Sequence, residues 1–495
     1  MVFTIAKKKK DSIKISFIDS PSSEDVTGSL IFISTPNHKF IVDAGLYQTN
    51  DRYEDFLVNN RKYKEFKPKE LDYVFITHNH GDHCLLLPKL FKDGCKANVI
   101  IADGSAEVLK DMAEDCAEIN ERDVLIINNQ HDKHYESLYD LNDVHNMINH
   151  TVGFPMEEKI KIDDELSFEL IPSGHLLGSC QVMLYLTVNT VTKTVLITGD
   201  IGNKIVGNRF VGEYKQVKNA DYVIAESTYG DKPDIKTGRK ERKNDLEKFK
   251  SIIDTQIHDL KGRVIIPSFA QSRSAQLVLM VYQLYKDSDW KPKVYIDSPL
   301  AIKLFKDYEN CLDGKDKEDF DEMLHSGMFH FVKEPVDSKT LVASNEPCLI
   351  ISTSGMCQVG RIRHHLKKCV IDPNATVLFV GFSTDGSLAS LLKDNKRKTI
   401  TIDQKEYPCR CASYSLKSMS GHAPFNQLVE NYTEINCQKI ILHHGSKKAK
   451  EVLKQALEKE YEKKCKSTRV VIANSSLCKF CSNGTPILKS AVHSF

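Results

Sequence analysis

Short runs of β-branched and apolar residues recur along the chain, and each stops abruptly at polar ones: 73–77, 195–198, 222–225, 264–266, 349–351, 377–380 and 440–442. Runs this short, unbroken by polar alternation, predict strands buried on both faces. Longer stretches between some of them carry apolar residues over helix length, as Leu277, Leu279, Met280 and Leu284 do within 273–285. Strands alternating with helices predict an α/β fold of helix layers on sheet. Such folds place their chemistry in loops at strand ends, and that is where the histidines of this chain fall.

Composition narrows the class. The 495 residues suit two or three domains, and 68 Lys+Arg against 67 Asp+Glu leave a formal charge of +1. That balance excludes a polycationic nucleic-acid packer but not an enzyme with a local basic cleft. With 41% hydrophobic and 27% charged residues, the chain is ordinary globular material rather than a disordered one. No apolar run reaches the roughly 18–20 residues of a membrane helix. The lysines of 7–10 are followed by no apolar stretch, so no secretory signal is expected. The 14 cysteines are scattered and often flanked by apolar residues, as Cys180 and Cys348 are, which reads as free thiols in a reducing cytoplasm. Cys409 with Cys411 and Cys478 with Cys481 form close pairs; incidental thiols are the plainer reading, and a structural zinc is the alternative. Two charge-dense stretches, 231–250 (Lys236, Arg239, Lys240, Arg242, Lys243) and 394–398, read as solvated faces, with a phosphate-contacting rim as the alternative. They also mark the edges of an inserted domain.

The sharpest chemistry lies in Thr77-His-Asn-His-Gly-Asp-His83, where three imidazoles and one carboxylate follow a predicted strand. His78 and His80 alternate along an extended segment and project to one side. Asp82 and His83 follow a glycine, which permits a turn toward a second point. Ligands this crowded suit two cations roughly 3.5–4 Å apart better than one. Imidazole and carboxylate without thiolate fit Zn²⁺, with Mn²⁺ as a substitute. Further ligands stand at other strand ends: His175 after 168–171, Asp200 after 195–197, and His443 and His444 after 440–442. Asp200, a carboxylate, can bridge two cations. Asp43, ending an early strand, can orient a ligand from behind.

In their order, Asp43, His78-x-His80-x-Asp82-His83, His175 and Asp200 resemble the metal motifs of the metallo-β-lactamase fold. More narrowly they resemble the β-CASP nucleases, the family of the pre-mRNA 3′-end cleavage subunit and its bacterial and archaeal relatives. Further family motifs match at Glu226 in 226–230, His422 in 420–422 and a histidine in 443–445. Cassette-like segments match at 266–270 with Arg273, and at 297–299, 352–356 and 381–386. The resemblance runs from about Ile31 to His444. It implies a metallo-β-lactamase αββα sandwich built from 1–229 and 401–495, with an inserted β-CASP α/β cap domain at 230–400.

Carried over residue by residue, the resemblance implies two Zn²⁺ per chain. His78, His80 and His175 hold one, Asp82, His83 and His444 the other, and Asp200 bridges. His444 is preferred to His443 because the family histidine directly precedes glycine, and a histidine there accompanies RNA-type members. The expected function is a metal-dependent ribonuclease that cuts single-stranded RNA internally. Asp82, Asp200, Glu226 and His422 form its catalytic group; His422 is the general acid, oriented by Glu226. The cap is expected to leave a slot too narrow for a duplex. Arg273, Ser354 and Gly355 are the expected substrate contacts, the last two with a strand-to-helix turn as the alternative. A 5′ exoribonuclease, a DNA nuclease, a small-molecule metallo-hydrolase and an inactive processing subunit are the competing readings. A homodimer or an RNA-processing complex is the expected assembly, with no membrane.

Overall fold

The computed structural model describes residues 12–18, 27–49, 51–204, 210–233, 238–381, 383, 386–394, 397–416, 418, 420–473 and the backbone of 478–481 and 486–487. By internal contacts the chain forms two compact units. One comprises 1–202, 212–233 and 422–495; the other comprises 203–211 and 234–421.

Two sheets face each other in the first unit. The eight-stranded sheet runs in the order Pro486–Ile487, Cys478–Cys481, Ser12–Phe17, Ile31–Ser34, Lys39–Val42, Tyr73–Phe75, Asn98–Ala102, Thr151–Phe154. The seven-stranded sheet runs Arg469–Ile472, Lys439–Leu442, Tyr222–Ala225, Val191–Ile197, Cys180–Val188, Leu166–Pro172, Lys159–Lys161. A core drawn from both sheets fills the space between them, with Ile15, Phe40 and Phe75 on one side and Phe168, Leu184, Ile224 and Ile441 on the other. A second core packs the outer face of the eight-stranded sheet, through Ile41, Val74 and Val99, against Leu109, Ala113 and Ile127 of the long helix Ser105–His131. Such layering is the αββα sandwich.

The expected strands form, and the period of each run explains its place. Tyr222–Ala225 and Lys439–Leu442 are buried at every position. They pair in parallel with each other, and Tyr222–Ala225 pairs in parallel with Val191–Ile197, so their carboxyl ends emerge side by side. Asp200, Glu226 and His444 therefore leave neighbouring strands at one edge.

The second unit carries one six-stranded sheet, ordered Phe329–Phe331, Val294–Asp297, Cys348–Ser352, Arg263–Pro267, Ala375–Val380, Ala412–Leu416, and parallel throughout. Because Ala412–Leu416 pairs with Ala375–Val380, this sheet runs past residue 400. The helix expected over Arg273–Tyr285 spans those residues. The charged stretch around 240 forms helix Arg239–Ile253, which buries only Phe249 and Ile253 and leaves most of its basic residues at the surface. Cys409 and Cys411 are half-buried free thiols; the side chains of Cys478 and Cys481 lie outside the described residues. Among the described residues no helix is long and apolar enough to cross a membrane.

Candidate metal centre

The segment after Tyr73–Phe75 is held by Asp43, whose backbone takes a left-handed φ of 62°. Its carboxylate accepts from Thr77 N at 2.8 Å and from Thr77 Oγ1 at 2.9 Å. The same carboxylate lies 2.7 Å from His83 Nδ1. With Nδ1 so engaged, His83 turns Nε2 into the cluster. Thr77 Oγ1 also lies 3.0 Å from His78 Nδ1, which leaves His78 Nε2 facing inward.

His80 lies on extended backbone, but Asp82 and His83 are swung away by a helical turn, Gly81–Cys84, rather than by glycine freedom at Gly81. The tight contact falls elsewhere. A Cβ on Gly45 would stand 1.7 Å from the carbonyl oxygen of Asp82. Gly45 thus lets the turn sit against the strand end, where Ser29 N donates to Asp82 O and Ala44 N to His83 O. Gly202 plays the same part for His175, since a Cβ there would stand 1.7 Å from Gly174 O. The His175 loop is closed by Ser179 Oγ, which accepts from His175 N at 3.1 Å and from Leu176 N at 2.9 Å.

Asp200 sits at the centre. Its Oδ2 lies 3.7 Å from His78 Nε2, 3.6 Å from His175 Nε2 and 3.7 Å from His422 Nδ1. Its Oδ1 lies 3.5 Å from His83 Nε2 and 3.6 Å from His444 Nε2. His175 Nε2 lies 3.3 Å from His80 Nδ1, and His444 Nε2 lies 3.3 Å from His83 Nε2 and 3.7 Å from Asp82 Oδ2. The donor atoms form compact groups: His78, His80, His175 and Asp200; Asp82, His83 and His444; and Asp200, Glu226 and His422.

These spacings fit divalent cations. Two donors at the usual zinc distance from one tetrahedral ion stand about 3.4 Å apart, whereas a carboxylate hydrogen bonded to an imidazole stands near 2.8 Å. His78 Nε2 and Asp200 Oδ1 are buried and have no hydrogen-bond partner in the protein. Without a cation the electrostatics are costly. Burial pushes Asp200 well above the usual carboxylate range, and nearby Glu226, Asp82 and Asp43 add to the rise. Burial pulls His78, His83 and His444 well below the usual imidazole value, and neighbouring imidazoles pull them further. Asp82, a quarter exposed at its side chain, is pushed up to about 6 by burial. Positive charge at the centre would bring the raised carboxylates Asp200 and Asp82 back down, and the imidazoles, already held neutral, would be ready to ligate it.

Of the adjacent histidines at the last strand end, His444 faces the cluster, while His443 lies 3.3 Å from Ser29 Oγ and packs on Phe17. Glu226 accepts from Ile201 N and Thr228 N, and burial pushes it up to about 7. His422 reaches the cluster because Gly202 and His422 form a β-bridge and Ala423 N donates to Ile201 O. Its side chain is 18% exposed against 3% for Asp200, so with Asp82 it stands at the cluster's wetter rim.

Arg273, Ser354 and Gly355 are not part of this cluster; they belong to the second unit. Arg273 starts its helix and donates to Gln276 Oε1 at 2.9 Å. Ser354 engages the backbone of Val359, and Gly355 lies against the exposed ring of Phe269, where a Cβ would stand 2.8 Å from a ring carbon. Sequence reasoning passed over Thr77 and Ser179, the hydroxyls that fix His78 and His175. Thr77 had a readable signal, its place between a strand and two ligands; Ser179 had none.

Three family models match the chain in sequence order: the metallo-beta-lactamase superfamily over 24–206, the Beta-Casp domain over 275–392, and the Zn-dependent metallo-hydrolase RNA specificity domain over 406–468. The chain is 26% identical over 449 residues to the transcription termination factor FttA of Methanocaldococcus jannaschii, covering 88% of this chain and 67% of that protein. It is 26% identical over 417 residues to a ribonuclease of Thermus thermophilus, covering 83% of this chain and 88% of that protein. An RNase J-like protein of M. jannaschii is 28% identical over 386 residues, covering 77% and 82% of the two chains. A crystal structure of a protein of unknown function from Enterococcus faecalis shares the fold, with a TM-score of 0.50 at 12% identity over 95% of this chain and 100% of that one.

Proposed function

Because this chain is a metallo-β-lactamase-fold protein of the β-CASP family, with the RNA specificity segment that accompanies it, we propose that it is a zinc-dependent ribonuclease cutting single-stranded RNA internally. One observation carries the reading: the two oxygens of Asp200 divide the inward imidazoles, His78 and His175 on one, His83 and His444 on the other. His78, His80 and His175 would hold one cation and Asp82, His83 and His444 the second, with Asp200 a candidate ligand to both. The donor set suits Zn²⁺, two per chain, with Mn²⁺ able to substitute. Such a pair supplies an activated water at neutral pH and neutralises charge on a phosphodiester.

The chain's own residues do the rest. Asp43 and Thr77 keep the inward nitrogens of His83 and His78 free of protons. Glu226, fixed by two backbone amides, stands in the same group as His422 and orients it. His422, on the wetter rim, delivers a proton to the leaving 3′-oxygen. Arg273 and the Ser354–Gly355 turn contact the RNA backbone, and Phe269 offers a base an aromatic face. RNA is favoured by the ribonuclease names of relatives and by His444, the residue of RNA-type members. Internal cutting is favoured by 352–356, which resembles the endonucleolytic branch.

The test uses 5′-labelled and 3′-labelled RNA with matching DNA, with and without chelator. Internal RNA fragments that vanish with chelator are expected. A ladder from one end would replace the endonuclease with an exonuclease. An inert protein with full metal content would sink the nuclease reading.

A further inference from the structure

A cavity of about 150 Å³ lies within the second unit, at the start of strands Arg263–Pro267 and Ala375–Val380 and beside helix Ile362–Cys369. Its charged walls are Lys261, Arg263 and Lys368 against the single carboxylate of Asp372, a surplus of two positive charges. Arg263 is 7% exposed; its Nε and one terminal nitrogen donate to the carbonyls of Glu346 and Leu341, and the other terminal nitrogen is buried without a partner. His365, 2% exposed, bonds Asp297 through Nε2 and leaves Nδ1 buried without a partner. Among the described residues Lys368 donates to neutral oxygens, the carbonyls of Ala343 and Ser344 and Asn345 Oδ1. Among the described residues, no carboxylate pairs with Arg263 or Lys368.

We propose that this cavity binds a free phosphate-type oxyanion, inorganic phosphate being the fitting ion. A guanidinium keeps its charge at any cellular pH, and its planar fork matches phosphate oxygens. The charge surplus equals that of a phosphate dianion. The volume, about five water molecules' worth, admits a tetrahedral ion of five heavy atoms with some water and is small for a whole nucleotide. The unpartnered nitrogen of Arg263 and the ammonium of Lys368 donate to the ion. Burial and the neighbouring Arg263 hold Lys368 below the usual ammonium range, which an anion between them would relieve. The ion would tie helix Ile362–Cys369 to the start of the sheet within the second unit.

The test is thermal unfolding and isothermal titration of the full chain with inorganic phosphate replacing chloride at fixed ionic strength. A rise of about 2–4 °C is expected for the natural chain. That rise should be absent in Arg263→Met and Lys368→Gln. If Arg263→Met does not fold, Lys368→Gln decides. Phosphate captured by the cation cluster raises natural chain and variants alike, so only their difference counts, and the difference should survive chelator. Equal responses in natural chain and variants would overturn the proposal, as would no response at all. Displacement of phosphate by adenosine 5′-monophosphate would overturn the free-ion reading.

Discussion

Asp200 and Asp297 are both buried aspartates at or just beyond the ends of parallel strands, and both face histidine. In the second unit, Asp297 accepts from Ser338 Oγ at 2.6 Å, His365 Nε2 at 2.6 Å and Arg361 at 2.8 Å. Burial would raise its pKa, but these three bonds together hold it below the usual carboxylate value. Asp200 has five imidazole nitrogens around it, none nearer than 3.5 Å, and burial drives it well up. A buried aspartate facing histidine thus sits in a closed network in one unit and an open one in the other. Donors at hydrogen-bond distance satisfy a carboxylate; donors one step further out leave it waiting for a cation.

The contrast can be broken most directly at Asp200. Asp200→Ala should release metal and take RNA cleavage to background, read by elemental analysis beside the cleavage assay; full metal content in that variant would remove the bridging role. At the rim of the same cluster, His422→Ala should keep both ions and slow turnover by roughly 10²–10⁴. Metal loss in this variant would recast His422 as a ligand. The matching change in the second unit, Asp297→Ala, leaves Arg361 with the carbonyls of Val332 and Lys333 but without its carboxylate. It should cost about 3–5 kcal/mol in chemical denaturation, with metal content unchanged. Asp43→Asn, one shell behind His83, should weaken metal binding by about 10–100-fold, measured by competition with a chelating dye.

Acid should separate the two sites by a smaller margin. Asp82 sits at about 6 in the cation-free protein, so its proton competes with metal below that pH. His78, His83 and His444 stay neutral over this range because their values are depressed. Metal affinity should then fall by about tenfold between pH 7 and pH 5 from Asp82 alone. Asp297, with a lowered pKa, contributes stability that is fully present above its unfolded value of 3.8 and is lost only as pH falls through its lower folded value. A cation affinity flat from pH 7 to 5 would contradict the open-network account.

Much of the centre could be read from the chain because local order carried it. The apolar runs at 73–77, 195–198, 222–225 and 440–442 specified buried strands, and the residues that follow them had to emerge at strand ends. The tight spacing of His78, His80, Asp82 and His83 made a metal cluster legible before any folding. The Asp297 network was not legible in the same way. Arg361 and His365 follow Asp297 by 64 and 68 residues, and neither carries a local pattern that points back to it.

By itself, then, the chain determined which segments become strands, which side chains stand at their ends, and that imidazole and carboxylate outnumber any thiolate there. Side-chain type and short-range periodicity suffice for that. Only the packed structure decided that Asp200 reaches both histidine sets, that His444 turns inward while His443 turns toward Ser29, and that a helical turn rather than a free glycine redirects Asp82 and His83. Those outcomes depend on strand register and on backbone approaches at Gly45 and Gly202, distances between residues far apart in sequence that no local pattern encodes.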